Sequence, residues 1–66
     1  MSLGENIKNR RMERNLTQEV FAAQIGVGRS MLAQIERGTK VPNMILGREI
    51  SKQLGCTMEE LMEMEQ

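Results

Sequence analysis

A polar stripe between residues 29 and 37 carries the side chains that are best suited to chemistry in this chain. Its members are basic, polar or small: Arg29, Ser30, Ala33, Gln34 and Arg37. At helical spacing they lie opposite Leu32 and Ile35. Arginine can donate two hydrogen bonds to guanine and glutamine can pair similarly with adenine, whereas serine discriminates less. The stripe therefore suits the reading of base edges in duplex nucleic acid, although any solvated helix face could carry the same residue types.

The residue types that other chemistries need are scarce. The sequence has no His, Trp or Tyr, and its single cysteine, Cys56, has no disulfide partner within the chain. Metal sites, base-activated nucleophiles and disulfide-rich scaffolds therefore lack their usual side chains. We expect no catalytic residue, no metal, no cofactor and no small-molecule substrate, and the sequence does not predict an enzyme.

The distribution of charge is more informative than its sum. The formal net charge is zero, which by itself argues against a polyanionic partner. Residues 1–40, however, contain seven basic and four acidic side chains, whereas residues 41–66 contain two basic and five acidic ones. This asymmetry suggests one face that binds an anion and another that avoids it. A surface that is charged only for solubility is the alternative.

The length of 66 residues predicts a single domain, spanning residues 1–66, that needs most of its apolar side chains for the core. No apolar run approaches the roughly 18 residues that span a bilayer. Residues 1–4 lack the basic and apolar regions of a signal peptide. We therefore expect a cytoplasmic protein without a membrane segment.

Apolar periodicity and capping residues predict five helices. Their expected limits are Leu3 to about Arg14 with a stop at Asn15, Thr17 to Gly26, Gly28 to Gly38, Pro42–Asn43 to Leu54–Gly55, and Thr57 to about Met64. Leu16 and Phe21 flank Thr17 in the arrangement of a hydrophobic staple. A left-handed Gly26 followed by a short turn sets the second and third helices at a steep angle, which is a helix-turn-helix.

The run TQEVFAAQIGVGRSMLAQIERG, residues 17–38, resembles the Cro/cI-type (xenobiotic-response-element-like) helix-turn-helix family. The most specific part of the resemblance is one set at family spacing: Gln18, Ala22, Gly26, Val27, Leu32, Ile35 and Glu36-Arg37-Gly38. The resemblance covers nearly the whole chain and implies an all-α, five-helix fold similar to that of lambda repressor. It also implies that the protein binds duplex DNA as a homodimer on a palindromic operator, with the third helix in the major groove.

The resemblance also implies roles for individual residues. The stripe supplies the base-reading side chains: Arg29, Ser30 and Gln34. The positions that contact the DNA backbone are Gln18, Arg37, Lys40 and Asn43, although Lys40 could equally be an ordinary solubilising charge. Arg11 continues the inward face of the first helix and Glu36 follows inward Leu32 by four residues. Since each charge would be costly if buried alone, we expect Arg11 and Glu36 to pair.

A homodimer is expected to form through the C-terminal half. The residues predicted for its interface are apolar: Met44, Ile45, Met58, Leu61 and Met62. A domain this small cannot bury all of them together with Met64. Members of the resembled family commonly pair through the turn before the fourth helix and through the fifth helix. Scattered surface methionines, which are normal, are the alternative.

The sequence departs from the family pattern in the fourth helix. Gly47 and Arg48 lie where the family usually has Leu, and glycine costs about 1 kcal/mol in helix propensity. We expect Leu46 to lean into the vacated space and the fourth helix to start irregularly. Cys56 lies where the family has a small apolar residue, so packing is expected rather than reactivity.

These observations predict a sequence-specific transcriptional regulator that acts as a repressor and has no catalytic activity. The alternative is a protein-interaction module, such as an antitoxin or an antirepressor, that uses the same fold to bind another protein. The acidic C-terminal half keeps that alternative open.

Overall fold

The computed structural model describes residues 2–62, which form five α-helices. These are α1 (Leu3–Glu13), α2 (Gln18–Ile25), α3 (Arg29–Arg37), α4 (Met44–Leu54) and α5 (Met58–Met62). No strand is present in this part of the chain, so the expected all-α, five-helix architecture is confirmed. None of the described helices is long and apolar enough to cross a membrane.

Both ends of α1 are closed by local hydrogen bonds. Ser2 Oγ accepts from the Glu5 backbone N–H at 3.2 Å, and Glu5 Oε1 accepts from the Ser2 N–H at 3.1 Å. These reciprocal bonds form a capping box that is not among the features predicted from the sequence. At the other end Asn15 has a φ of 59°, and the Leu16 N–H donates back to the Arg11 carbonyl at 3.2 Å. This left-handed residue confirms Asn15 as the stop of the first helix.

The break between α2 and α3 is a short turn built on glycine. Thr17 Oγ1 accepts from the Val20 N–H at 3.1 Å and so caps α2, as the sequence predicts. Gly26 ends α2 with a φ of 81°, a conformation that L side chains resist. The Val27 N–H donates to the Ala22 carbonyl at 2.9 Å, and the Val27 side chain packs against the core. These contacts confirm the helix-turn-helix.

The core lies between all five helices. It contains nine buried apolar side chains: Ile7, Phe21, Ala22, Ile25, Leu32, Ile35, Ile50, Leu54 and Leu61. Gly4 allows α1 to approach the backbone of α3, because a Cβ at this position would lie only 2.6 Å from the Glu36 carbonyl oxygen. Leu61 is 2% exposed and belongs to this core.

The start of α4 is regular, so the predicted irregular start is wrong. Asn43 Oδ1 accepts from the Leu46 N–H at 2.8 Å, and the Gly47 N–H donates to the Asn43 carbonyl at 2.8 Å. A Cβ on Gly47 would lie 3.1 Å from Met58 Cε. The space next to Gly47 is therefore occupied by Met58 from α5. Leu46, which the sequence predicts for this space, lines a different groove with Val27 and Met31.

The short helix α5 is tied to α1. Thr57 caps it as predicted, since Thr57 Oγ1 accepts from the Glu60 N–H at 3.0 Å. The amide of the buried Asn6 donates to the carbonyl oxygens of Leu61 at 2.8 Å and Glu60 at 3.1 Å. Carbonyl groups in the last turn of a helix have no N–H donor within that helix, and here the side chain of Asn6 from α1 donates to two of them. The predicted end of this helix near Met64 lies outside the described residues.

Candidate nucleic-acid interface

The two faces of α3 are sharply divided. Leu32 and Ile35 are buried in the core, whereas Arg29, Ser30 and Arg37 are exposed to solvent. Gln34 lies on the outer side and is partly exposed. The helix begins at Arg29 directly after Gly28, which provides no side-chain cap. Arg29 and Ser30 therefore occupy an uncrowded first turn from which long side chains can extend.

The inner side of α3 is anchored by an ion pair with α1. Arg11 Nε donates to Glu36 Oε2 at 2.7 Å, and Arg11 Nη2 donates to Glu36 Oε1 at 3.2 Å. The two side chains are only 8% and 3% exposed. Arg11 Nη1 also donates to the Leu16 carbonyl at 2.6 Å, so the guanidinium links three segments of the chain. This is the pair that the sequence predicts, and its two parallel bonds fix α3 relative to α1.

Gln18, at the start of α2, connects this ion pair to the outer stripe. Its Nε2 donates to Glu36 Oε1 at 3.0 Å, and its Oε1 accepts from Arg29 Nη1 at 3.4 Å. The sequence predicts a contact of Gln18 with the DNA backbone and carries no signal for these two partners. One hydrogen of Nε2 is used by Glu36, which leaves the second available to a ligand.

The electrostatics of α3 favour an anion on its outer side. Its only acidic residue is Glu36, whose charge is compensated by Arg11 within the core. The charges that α3 presents to solvent are therefore those of Arg29 and Arg37. Lys40 follows in the exposed loop after α3. Such a run of cations without exposed carboxylates raises the local concentration of polyanions.

Asn43 has a structural task in addition to the role expected from the sequence. It is exposed, but its Oδ1 is the N-cap acceptor of α4. Its amide nitrogen can still donate to a ligand, because the cap uses only the oxygen. The structure thus leaves Asn43 able to contact an anion while it also starts α4.

An apolar surface lies at the beginning of α4 and on α5. Val41, Met44 and Ile45 are 78%, 75% and 78% exposed, and Met62 is 54% exposed. A groove of about 220 Å³ runs between α1, the loop before α4 and α5, with Met44 and Met62 on its rim. Val41, Met44 and Met62 line this groove together, and exposed apolar side chains that cluster in this way are typical of a surface that binds another protein.

Leu61 does not belong to that surface. The sequence predicts Leu61 in a dimer interface, but only 2% of the residue is exposed and its side chain packs in the core of the monomer. It leaves almost no area for a partner, so this assignment is corrected. Met58 is half-buried, and its side chain packs beside Gly47 of α4.

Comparison with known proteins supports what the fold suggests. The family model described as helix-turn-helix matches residues 7–61. The chain belongs to the Cro/cI-type helix-turn-helix family. The match includes most of α1, all of α2, α3 and α4, and all but the last residue of α5.

Several bacterial proteins are similar to this chain. The uncharacterized HTH-type transcriptional regulator YqaF of Bacillus subtilis is 37% identical over 74% of this chain and 64% of its own length. The HTH-type transcriptional activator BcrR of Enterococcus faecalis is 37% identical over 94% of this chain, which spans 30% of BcrR. Control protein C.MunI from Mycoplasma sp is 39% identical over 88% of this chain and 80% of its own length. The chain thus spans less than two thirds of the first two relatives.

Solved structures show the same fold. The P22 c2 repressor, crystallised in complex with synthetic operator 9T, superimposes with a TM-score of 0.91 at 28% identity over 96% of each chain. The NMR structure of the DNA-binding domain of the P22 c2 repressor gives a TM-score of 0.88 at 30% identity over 92% of this chain and 80% of that domain. The expected lambda-repressor-like fold is therefore confirmed.

Several contacts of this Cro/cI-type domain had no signal in the sequence. Asn6 binds the end of α5, and Arg14 Nη2 donates to the Leu54 carbonyl at 2.7 Å at the end of α4. Asn6 lies within α1 and Arg14 directly follows this helix, and for both polar side chains exposure to solvent is the simplest expectation. The guanidinium of Arg14 is favourable at the C-terminus of α4 because the last carbonyl groups of a helix carry partial negative charge.

Proposed function

We propose that this protein is a transcriptional regulator that binds duplex DNA in a sequence-specific manner, with α3 in the major groove. The observation that carries the proposal is the outer stripe of α3, in which Arg29 and Ser30 are exposed and Gln34 is partly exposed. The inner face of this helix is fixed by the buried Arg11–Glu36 pair. A base-reading surface must be held rigidly, because small displacements break bidentate contacts. The similarity to the P22 c2 repressor, solved in complex with a synthetic operator, supports this reading.

The first turn of α3 supplies the deepest contacts in this proposal. Helix-turn-helix proteins insert the N-terminal part of the second helix of the motif into the major groove. Arg29 and Ser30 lie there, and Gln34 lies one turn further on the same side. Arg29 can pair with O6 and N7 of guanine and Gln34 with N6 and N7 of adenine. These three residues would choose the sequence.

A second group of residues would position the domain on the DNA backbone. Gln18 starts α2, where backbone N–H groups already favour an anion, and its amide has a hydrogen to donate. Arg37, Lys40 and Asn43 follow along the end of α3 and the loop to α4, and all three are exposed. Contacts to phosphates fix register and orientation but carry no sequence information.

The protein would act as a homodimer on a palindromic operator. The apolar surface formed by Val41, Met44, Ile45 and Met62 lies outside α3, in the loop before α4, in α4 and in α5, and we propose it as the dimer interface. A two-fold dimer presents two copies of α3 to half-sites about one helical turn apart. Occupation of such a site would repress the promoter that contains it.

The test begins with selection of bound sequences from a randomised duplex library. The affinities for the recovered duplex and for a shuffled duplex of the same composition are then measured from low to high salt. We expect a palindromic consensus and a steep loss of affinity with salt, because each neutralised phosphate contributes about 0.9 to the slope of log K against log salt. Absence of a consensus together with a shallow slope would contradict the proposal and favour the protein-interaction module.

A further inference from the structure

We propose that Met44 and Met62 form an oxidation site, at which peroxide converts their thioethers to sulfoxides and thereby dissociates the homodimer. Both side chains lie on the rim of the groove between α1, the loop before α4 and α5, and both are more than half exposed. The site itself is a property of the monomer. Its effect on association rests on the homodimer in the function proposed above.

The fold brings three thioethers from two helices to one groove. Met44 begins α4, and Met58 and Met62 begin and end α5. All three line the groove together with Val41 and Pro42. The flexible, polarisable side chain of methionine adapts to such an apolar surface, whereas its sulfoxide is polar. A chemical change confined to sulfur therefore alters the polarity of the rim of the groove.

Exposure separates the methionines that a dissolved oxidant reaches easily from those that it does not. Met44 is 75% and Met62 54% exposed, whereas Met31 and Met58 are half-buried. Because peroxide must approach the sulfur directly, we expect Met44 and Met62 to react before the two half-buried residues. Met12 on α1 is 54% exposed and does not line the groove, so it provides an internal reference.

The reaction needs only the thioether and hydrogen peroxide. A lone pair of the methionine sulfur attacks one peroxide oxygen, the O–O bond breaks, and that oxygen stays on sulfur as the sulfoxide. The other oxygen leaves as water after proton transfer, so sulfur is oxidised by two electrons and the peroxide is reduced by two. A thioether needs no deprotonation for this step. By contrast, burial raises the pKa of the Cys56 thiol, so little of the reactive thiolate is present at neutral pH.

Sulfoxides on the rim oppose the burial that a dimer requires. A sulfoxide oxygen accepts hydrogen bonds, and its transfer from water into an apolar interface without a donor is unfavourable. Among the described residues that line the groove, Asn43 alone has a polar side chain, and its Oδ1 caps α4. In a two-fold dimer every sulfoxide occurs on both subunits. We therefore expect oxidation to raise the dissociation constant of the dimer by at least about tenfold.

The first experiment identifies the oxidised positions in the protein without DNA. Dilute protein is treated with hydrogen peroxide at neutral pH, and the gain of one oxygen at each methionine is followed by mass spectrometry of peptides. We expect Met44 and Met62 to react about as fast as Met12 and faster than Met31 and Met58. At high micromolar protein concentration the reaction of Met44 and Met62 should slow relative to that of Met12. Rates for Met44 and Met62 equal to those of the half-buried methionines would overturn the proposed site.

The second experiment measures association by sedimentation equilibrium before and after oxidation. The double variant Met44→Leu with Met62→Leu keeps the surface apolar but cannot form sulfoxides there. Met12→Leu is the matched control, since Met12 is as exposed as Met62 and lies outside the groove. We expect peroxide to dissociate the wild type and Met12→Leu but not the double variant.

Methionine sulfoxide reductases of both stereospecificities should then restore association of the oxidised wild type. An oxidised wild type that associates as before would overturn the proposal. Dissociation of the double variant by peroxide would do the same, because it would assign the effect to another group such as Cys56, which that variant retains.

The outcomes separate this proposal from the proposed function. A protein that selects a palindromic consensus and stays dimeric after oxidation of Met44 and Met62 would keep the proposed function and refute this inference. A wild type that is monomeric before oxidation, with and without the selected duplex, would refute the homodimer and with it the effect of oxidation on association. The reaction rates in the monomer would then still decide whether Met44 and Met62 are the site.

Discussion

Arg11 Nε lies 2.7 Å from Glu36 Oε2, and this buried contact joins residues that are 25 positions apart in the chain. The pair connects α1 to the inner side of α3, directly behind the stripe that carries Arg29. In residues 2–62 no buried side-chain nitrogen or oxygen lacks a hydrogen-bond partner. The removal of one member of this network would therefore leave charge and polar groups uncompensated in the core.

We expect Glu36→Ala to lower the free energy of unfolding by about 3–5 kcal/mol, because it leaves the Arg11 guanidinium buried without its partner. That is a large part of the stability of so small a domain. Urea denaturation followed by circular dichroism measures the change. Glu13→Ala, an exposed position on α1, is the control and should change stability by less than about 0.5 kcal/mol. An unchanged midpoint in Glu36→Ala would contradict the structural importance of the pair.

Gly4→Ala tests the close approach of α1 to α3. The added Cβ would lie 2.6 Å from the Glu36 carbonyl oxygen, a backbone atom that cannot move aside without displacing α3. We expect a loss of about 1–3 kcal/mol, as for other overpacked sites. Gly28→Ser is the matched control, since a Cβ there meets nothing within 4 Å and the hydroxyl can cap α3. Thermal melts that show equal destabilisation of both variants would refute the steric explanation.

Arg29→Ala and Lys40→Ala should weaken DNA binding in different ways. The loss of a bidentate base contact costs about 1–3 kcal/mol per half-site, so Arg29→Ala should weaken binding to the selected duplex much more than to the shuffled one. Lys40→Ala should weaken both by a similar factor and reduce the salt slope by about one per subunit. Affinities measured across salt concentrations decide between these patterns. An equal loss on both duplexes for Arg29→Ala and Gln34→Ala would show that α3 does not read bases.

Ile45→Glu should convert a dimer to a monomer without unfolding it. Ile45 is 78% exposed, so the substitution costs the monomer little, whereas a charge in an apolar interface is strongly unfavourable. Sedimentation equilibrium at high micromolar concentration, with and without the selected duplex, measures the change. Met12→Glu, at an exposed apolar position on α1, is the control and should leave the association unchanged. A wild-type protein that is monomeric under both conditions would exclude the proposed homodimer.

Cys56 should react slowly with thiol reagents. Burial raises the pKa of the Cys56 thiol, and Glu60 adds to the shift, while Arg10 and Arg14 oppose it. At pH 8 the folded protein then contains less thiolate than a free cysteine, so alkylation should be slower and its pH midpoint higher. The native state holds this proton more tightly than the unfolded state. The resulting stability is present below the pKa of the unfolded thiol and is lost as the pH rises through the folded value. A rate in the folded protein equal to that in urea would contradict the shift.

The sequence by itself determined the features that depend on near neighbours. Thr17, Gly26 and Asn43 start or end helices through bonds to residues three or four positions away, and such signals are visible in any short window of sequence. The division of α3 into an apolar and a polar face follows from helical periodicity alone. The resemblance to the Cro/cI-type family was carried by these local features together.

The tertiary structure decided which distant groups meet. Asn6 binds a carbonyl 55 residues away, Met58 fills the space beside Gly47, and Leu61 is in the core although its helix has an apolar stripe that also suits an interface. The periodicity of one helix gives the direction of its apolar face but not the distance or angle at which another helix crosses it. The hydrogen bonds from Glu36 to Gln18 and from Gln18 to Arg29 depend on how α2 crosses α3. The carboxylate of Glu36 is itself held by Arg11 of α1, so three helices must be in place for these contacts.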